Sequence, residues 1–406
     1  MLGRGPVTVD PMPADTTELM KDVVEKYDAE LVDLRRDLHR HPELSWSETR
    51  TSDLVAQRVE QAGWAVTRAH RSGVIADLGT EGPLVALRAD MDALPVQDLT
   101  DDPWRSTVTG VAHACGHDVH TAALVGAALA LAEVADRGLL HGRVRLLFQP
   151  AEEVMPGGAV QLLDEGALDS VERIFALHCD PGVDVGQVGL RLGPLTSAAD
   201  RVEVRLTGTG GHTSRPHLTG DLTFASAKVT TELPAVLSRR MDPRAGVSVV
   251  WGSLHAGAAP NVIPDHGLVS GTVRILDAVA WADCEAIVRS AVDDIVRPYG
   301  VQAEIDYQRG VPPVVNEPVS NRILARAVRA VLGEGAQVAA PQSLGGEDFG
   351  WFLERIPGAM MRLGTRTPGG ATYDLHQGNL RVDERCIGVG SRLLAETAVE
   401  ALVHHH

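Results

Sequence analysis

Apolar residues at Met20, Val23, Val24, Tyr27, Leu31, Leu34 and Leu38 recur three or four positions apart, so the spacing predicts an amphipathic helix from about Thr16 to Leu38. His41-Pro42-Glu43 stops it, because proline has no N–H to extend a helical ladder and restrains the residue before it. A second helix is predicted from Ser47, an N-cap candidate followed by Glu48, to a stop at Gly63. Short apolar runs and helical stretches then alternate to about residue 195, the pattern of a sheet with helices on both faces. Leu84-Val85-Ala86-Leu87, Val144-Arg145-Leu146-Leu147-Phe148 and Ile174-Phe175-Ala176-Leu177 read as three of its strands. The longest greasy stretch, about Ala122 to Val134, is too short to span a bilayer and reads as a buried helix.

From about Asp200 the texture changes. Val202-Glu203-Val204-Arg205-Leu206 alternates like a half-exposed strand. A helix is predicted near Leu222 to Arg239, two strands near Val247 to Leu254 and Leu268 to Ile275, a helix near Val279 to Val296, and a strand near Ala303 to Tyr307. This order is the split βαβ signature of a small open sandwich. The α/β texture resumes near Val311, so the sandwich reads as an insertion. The expected fold class is α/β: a catalytic domain with a mixed, mostly parallel sheet over residues 15–197 and 310–403, plus an inserted ferredoxin-like α+β domain over residues 198–309. No internal repeat or low-complexity tract is visible.

Composition narrows the function. A chain of 406 residues with 44% hydrophobic content buries a large core and divides into two or three domains. With 37 basic and 54 acidic residues the formal net charge is −17, which argues against nucleic acid or an anionic membrane as partner. Cys115, Cys179, Cys284 and Cys386 are sparse and irregular, unlike a disulfide framework, so a cytoplasmic location is expected. Met1 to Met20 contains proline and aspartate and no apolar core, so no secretory signal is visible there. His404 to His406 read as a tag remnant and are set aside.

The chemistry gathers around Cys115, in the run His113-Ala114-Cys115-Gly116-His117-Asp118-Val119-His120. A thiol packed so closely with imidazoles and a carboxylate reads as a metal ligand. The three strand-like runs each lead into further metal-competent residues: Asp90 and Asp92 after the first, Glu152 and Glu153 after the second, His178 after the third. In an open α/β sheet ligands bind beyond the carboxyl ends of the strands, so these fragments converge in one crevice. A single His or Glu is more often a hydrogen-bonded structural residue, and two adjacent acids more often a solvated pair; it is the clustering after apolar strands that favours a metal site. His113, His120 and Asp118 compete for the ligand role, or hydrogen-bond to a ligand. Thiolate, imidazole and carboxylate together suit Zn²⁺, Mn²⁺, Co²⁺ or Ni²⁺ rather than Mg²⁺ or Ca²⁺. Gly210-Gly211 lacks the strand and helix context of a dinucleotide fingerprint.

The sequence resembles the M20 metallopeptidase and amidohydrolase family, in the branch of amino-acid-conjugate amidohydrolases, hippurate hydrolases and N-acyl-amino-acid deacylases. The matching runs are His39-Arg40-His41-Pro42-Glu43-Leu44-Ser45, Arg88-Ala89-Asp90-Met91-Asp92-Ala93-Leu94-Pro95, His113 to His120, Gln149 to Glu153, Gly210-Gly211-His212, Pro260-Asn261-Val262-Ile263-Pro264, Gly271-Thr272-Val273-Arg274 and Gly345-Gly346-Glu347-Asp348-Phe349. Their order covers nearly the whole chain from Leu31 to Glu384. The resemblance implies two divalent ions per subunit, zinc or manganese first and cobalt or nickel next, held by Cys115, His117, Glu153, His178 and His376. It implies Glu152 as general base and Asp92 as the carboxylate that orients a ligand. Asp90 stands where many relatives outside this branch carry a ligand His. In the inserted domain it implies His212 as oxyanion donor, Asn261 and Arg274 as groups for the substrate's carboxylate or carbonyl, and the backbone of Gly345 lying against the substrate. Thr213-Ser214 departs from the small pair many relatives have after that His. The insertion is implied to be a lid and a dimerisation surface, with His212 serving the partner chain's site in a homodimer.

The reading that follows is hydrolysis of the amide bond of an N-acyl amino acid or a close conjugate. A di- or carboxypeptidase using the same machinery is the alternative within enzymes. A non-catalytic binding protein of the same fold is the alternative outside them, and Glu152 argues against it, since a retired enzyme has no need of a general base beside its ligands.

Overall fold

In the computed structural model residues 14–404 are described; the stretch before Ala14, which includes most of the segment read as lacking a secretory signal, and His405 and His406 of the suspected tag lie outside them. The first helix, α1 (Ala14–Arg40), extends the predicted one by a turn, and α2 (Thr49–Gln61) follows. The N-cap of α2 is Glu48, not Ser47 as expected, and Glu48 makes no side-chain cap because its carboxylate turns inward. Ser72 Oγ and the Ala151 N–H each donate to it at 2.7 Å. The chain continues through β1 (Ala65–Arg68), β2 (Val74–Leu78), β3 (Leu84–Asp90), α3 (His117–Asp136), β4 (Arg143–Gln149), α4 (Gly158–Asp164), β5 (Val171–Asp184), β6 (Val188–Leu190) and β7 (Gly193–Pro194). Next come β8 (Ala198–Thr207), β9 (Gly211–His212), α5 (Leu222–Arg240), β10 (Ser248–Ala256), β11 (Val262–Ile263), β12 (His266–Ile275), α6 (Ala278–Val296), β13 (Gln302–Val311) and β14 (Val315–Asn316). The last stretch holds α7 (Pro318–Leu332), β15 (Gln337–Ala339), α8 (Gly350–Leu353), β16 (Gly358–Arg366) and α9 (Arg385–Val403).

The chain divides into two compact units, one of Met1–Gly193, Asn316–Pro341 and Trp351–His406, the other of Pro194–Val315 and Gln342–Gly350. The segment Gln342–Gly350, which the sequence reading left with the catalytic domain, groups with the second unit.

The first unit is built on an eight-stranded mixed sheet in the order β1-β2-β4-β3-β5-β16-β6-β15. Its centre, β4-β3-β5-β16, is parallel, and antiparallel pairs join β1 to β2, β2 to β4, and β16 to β6. β3 is buried along its whole length, as expected of a parallel strand covered on both faces. α3 packs against α1 and α9 and is buried on nearly every side, which is why its sequence shows almost no polar stripe. It is long and apolar enough to cross a membrane by length and composition, but it lies within this unit's core.

The second unit carries a four-stranded antiparallel sheet in the order β10-β12-β8-β13, with α5 and α6 packed on it. Counting only its own strands in chain order, the arrangement is 2-3-1-4, the ferredoxin-like topology that its strand, helix, strand, strand, helix, strand sequence predicts. Asp221 and Asp277 cap α5 and α6, each accepting from a backbone N–H three residues on.

Candidate metal centre and active site

β3 and β4 run parallel with Asp90 level with Gln149, so the chain leaving β3 at Met91-Asp92 and the chain leaving β4 at Pro150-Ala151 emerge side by side. Ala151 takes a left-handed backbone conformation, φ 51°, which costs an L-residue about 1 to 2 kcal/mol. Its N–H bond to Glu48 helps hold it there. The bend turns the next two N–H groups onto one carboxylate: Glu152 N donates to Asp92 Oδ1 and Glu153 N to Asp92 Oδ2, both at 3.0 Å. Ser45 Oγ donates to the same Oδ2 at 2.6 Å.

Asp92 also fixes His117. His117 Nδ1 lies 2.8 Å from the Asp92 carbonyl oxygen and 3.4 Å from its Oδ1, so Nδ1 donates there and Nε2 is the nitrogen left to bind a metal once its proton is displaced. That Nε2 is buried and makes no hydrogen bond among the described residues. Glu153 Oε1, 3.9 Å away, is likewise buried. Around these two atoms, Glu152 Oε2 is 4.0 Å from His117 Nε2 and Glu153 Oε1 is 3.2 Å from His376 Nε2. Cys115 Sγ is 3.6 Å from His178 Nε2.

The donor atoms form overlapping triplets, Cys115 with His117 and His178, Cys115 with Glu153 and His376, and His117 with Glu152 and Glu153, each within 4.8 Å. Gly116 makes this possible. It takes the left-handed conformation, φ 88°, between Cys115 and the first residue of α3, and a Cβ there would come within 2.9 Å of Cys179 Sγ. His376, on a loop, is also left-handed at φ 61° and is held by its N–H to the Ala114 carbonyl at 2.7 Å. His178 is not at a strand end as expected: β5 runs on to Asp184 because β16 keeps pairing with it, level with Arg362 at His178. β3 stops pairing with β5 at Ala176, so His178 lies two residues past the last paired position on that side.

The electrostatics show what belongs there. Burial pushes the Cys115 thiol up, only partly offset by His117 and His376. Hydrogen bonding to Cys115 and Glu153 raises His376 to about 10. Burial opposes charge on His117, but Asp90, Cys115 and Asp92 outweigh it and hold that imidazole well above its usual range. His178 goes the other way, driven down by burial and by Arg362 and His120. Two imidazoles drawn towards the cationic form beside a thiol and a carboxylate register a demand for positive charge. The donor set of sulfur, nitrogen and oxygen fits divalent transition metals.

Beneath the donors lies a chain of buried groups that ties Asp90 and His120, both noted in the sequence, to Arg88 and Gln149. Arg88, fully buried, donates from Nε to Gln149 Oε1 at 2.8 Å and from Nη1 to Asp90 Oδ2 at 2.6 Å. Asp90 thus faces a guanidinium; burial opposes its charge, but Arg88, His117 and His120 hold it well below the usual carboxylate range. His120 Nδ1 is 2.5 Å from Asp90 Oδ1, and its Nε2 accepts from Cys179 N at 2.8 Å. Asp118 does not bond to a candidate ligand as anticipated. It lies 2.8 Å from both Arg35 Nε and His39 Nδ1, turned towards α1. His113 is also displaced from that role: both its nitrogens are buried without a partner among the described residues, and burial lowers it to about 4.

In the second unit, β9 pairs with β11 so that His212 is level with Val262, next to Asn261. Gly211-His212 is therefore a two-residue strand. His212 is exposed, and its Nδ1 lies 3.1 Å from Ser214 N and 2.8 Å from Ser214 Oγ. The backbone N–H is an obligatory donor, so Nδ1 accepts and Nε2 carries the proton. Arg274, level with Ala199 on β8, is half-buried, and desolvation draws its guanidinium down. Gly345 lies on a loop whose N–H bonds Ser343 Oγ at 3.0 Å. At Gly346 a Cβ would meet Ala199 at 3.0 Å and Val311 at 2.9 Å.

The profile of Peptidase family M20/M25/M40 matches residues 86–400. The chain is 48% identical over 373 residues to a Rhodococcus jostii protein named putative glutamate–cysteine ligase 2-3, covering 91% of this chain but 46% of that one, so it spans about half the length of that relative. It is 38% identical over 377 residues to N-acetylcysteine deacetylase of Bacillus subtilis, covering 92% of this chain and 97% of the relative. A Bacillus subtilis crystal structure described as a dinuclear metal binding peptidase from the M20 family superposes with a TM-score of 0.82 at 34% identity, covering 94% of this chain and 99% of that one.

Proposed function

The chain belongs to the M20/M25/M40 peptidase family, and from that premise we propose that it hydrolyses the amide bond of N-acyl amino acids or close conjugates, releasing a carboxylic acid and an amino acid. The observation that carries this reading is the convergence of buried donor atoms from His117, Glu153, Cys115, His178 and His376 in overlapping triplets, with His117 Nε2 making no hydrogen bond among the described residues. These five side chains would hold two divalent ions, zinc or manganese. When bound, such a pair supplies Lewis acidity and a water whose pKa approaches about 7.

The chain's own groups do the rest. Glu152 takes the water's proton and passes it to the departing amine, the role of a positioned general base and acid. Asp92 aims both members of the Glu152-Glu153 pair through their N–H groups, so that one serves as base and its neighbour as ligand. His212, with its proton on Nε2, donates to the developing oxyanion. Asn261 and Arg274 bind the substrate carboxylate, and the Gly345 backbone lies along it; the desolvated Arg274 guanidinium supports that assignment. The four cysteines are all free and buried, which supports a reducing, cytoplasmic location.

The substrate class is tested by product analysis on a panel of N-acyl amino acids and dipeptides, using metal-reconstituted protein. Turnover confined to acyl amino acids supports the proposal, and turnover confined to peptides with a free amine overturns it. The assembly proposed is a homodimer through the second unit, with His212 acting on the partner's site, an exchange that two-fold symmetry makes reciprocal. Mixing inactive Glu152→Gln and His212→Ala subunits then creates one intact site per mixed dimer, and activity reappears. Persistent inactivity after verified subunit exchange would confine His212 to its own chain.

A further inference from the structure

We propose that His120 is a positioning residue that sets the spacing and aim of the two imidazoles His117 and His178. The inference rests on the reading of those two histidines as metal ligands. His120 lies on the first turn of α3 and is fully buried. Its ring centre is 5.3 Å from that of His117 and 4.9 Å from that of His178, whereas those two are 6.3 Å apart. One ring therefore stands beside both candidate ligands and limits how closely they approach.

Both of its nitrogens are committed. The Cys179 N–H has no choice but to donate, so Nε2, at 2.8 Å, is the acceptor. The proton accordingly resides on Nδ1 and is donated to Asp90 Oδ1 at 2.5 Å. Asp90 cannot swing away, because Arg88 holds its other oxygen at 2.6 Å and is itself bonded to Gln149, with all of these side chains fully buried.

The far end of this chain reaches a ligand without touching its side chain. The N–H that His120 holds belongs to the peptide joining His178 to Cys179, so the bond fixes the plane of that link. The Cys179 carbonyl then accepts from His178 Nδ1 at 2.8 Å. That leaves His178 Nε2 with its lone pair, 3.6 Å from Cys115 Sγ. Gln149, Arg88, Asp90 and His120 thus transmit the rigidity of the β3 and β4 strand ends to a donor on β5.

The test uses Co²⁺ alone as the probe, titrated into the metal-free full chain and followed by its d–d absorption, whose shape reports ligand geometry. His120→Leu fills similar space without either hydrogen bond and is expected to weaken Co²⁺ binding about 10- to 100-fold with an altered spectrum. His120→Gln presents one acceptor and a donor group and is expected to recover binding to within a few-fold, with a near-native spectrum. Should His120→Leu not fold, His120→Asn replaces it, since its shorter amide meets Asp90 but stops short of the Cys179 N–H, and it is expected to bind as weakly. Native affinity and spectrum in the Leu or Asn variant, or a folded Gln variant as weak as Leu, would overturn the proposal. A His178→Ala control separates the two layers. If it loses Co²⁺ while His120→Leu binds normally, only the role of His120 fails; if it binds Co²⁺ as the native chain does, the ligand reading fails first.

Discussion

A buried aspartate in each unit gathers donors from several elements. In the first, Asp92 accepts from Ser45 Oγ and from the N–H groups of Glu152 and Glu153, with His117 Nδ1 close to its Oδ1. In the second, Asp200 on β8 accepts from Trp281 Nε1 of α6 at 2.8 Å, and from Tyr307 OH at 2.6 Å and Gly310 N at 3.0 Å, both on β13. The two are alike in burial and in the number of bonds. They differ in what stands behind the donors. Every partner of Asp92 but Ser45 is, or adjoins, a candidate ligand or base, whereas every partner of Asp200 is framework. On the proposed roles, equivalent hydrogen bonding serves aim in one place and cohesion in the other, and burial alone does not tell which.

The largest expected effects lie among the groups Asp92 aims. Glu152→Gln should keep fold and metal but lose at least 10³ in turnover, because the amide cannot accept the water's proton. Glu153→Gln should lose metal as well, since a neutral amide is a poorer ligand. Elemental analysis beside kinetics distinguishes them. Equal metal loss in both variants would mean that Asp92 does not send the two side chains to different tasks.

The comparison itself is broken or sharpened by the paired changes Asp92→Asn and Asp200→Asn, each of which puts an amide NH₂ against N–H donors. Asp92→Asn is expected to weaken metal binding roughly 10- to 100-fold with little change in melting temperature. Asp200→Asn is expected to lower unfolding stability by roughly 2 to 4 kcal/mol while leaving metal content intact. If the Asp92 variant is the less stable and the Asp200 variant the poorer metal binder, the assignment of aim and cohesion is reversed.

How much of this was legible in the chain follows the same division. Periodicity predicted α1, the six elements of the ferredoxin-like unit and their order, because amphipathic spacing is a local property. The Cys115 to His120 run and the Glu152-Glu153 pair stood out because unusual residue types followed apolar strands. What sequence could not reveal is nonlocal. Glu48 leaves α2 uncapped to serve Ala151, about a hundred residues later in the chain. Arg88 has no assigned role in the sequence, and its buried bond to Gln149 exists only because β4 lies beside β3. Asp118 reads as part of the metal run but is claimed by Arg35 and His39 from α1. The continuation of β5 past His178 depends on β16, nearly two hundred residues away.

The site's demand for positive charge predicts how ion uptake depends on pH. His376 is held up to about 10 by Cys115 and Glu153, and His117 is also held high, so the ion-free protein keeps protons there at neutral pH. Burial likewise keeps a proton on Cys115. A divalent ion must displace these protons, so affinity should rise with pH, by about tenfold per pH unit for each proton released. Co²⁺ titrations at pH 6.5 and 8 measure it, and equal affinities would show that the donors are already deprotonated.

A third buried carboxylate, Glu396 on α9, supplies the contrast that both aspartates lack. It is almost fully buried, yet neither oxygen makes a well-formed hydrogen bond among the described residues. Burial pushes its carboxyl from 4.5 up to about 7; Glu400 adds to the rise, while Thr17 and Arg392 ease it. The folded state therefore binds this proton more tightly than the unfolded chain does. Its contribution to stability is complete below about pH 4.5 and is lost as pH rises through about 7, by something on the order of 3 kcal/mol in total. Glu396→Gln removes the titration and keeps the shape. Against the native chain it should be close to neutral in denaturant unfolding at pH 4.5 and more stable at pH 8, with metal content unchanged at both. A difference in stability that stays constant across that window would mean that this carboxyl finds, in solution, the partners that Asp92 and Asp200 have and that it lacks here.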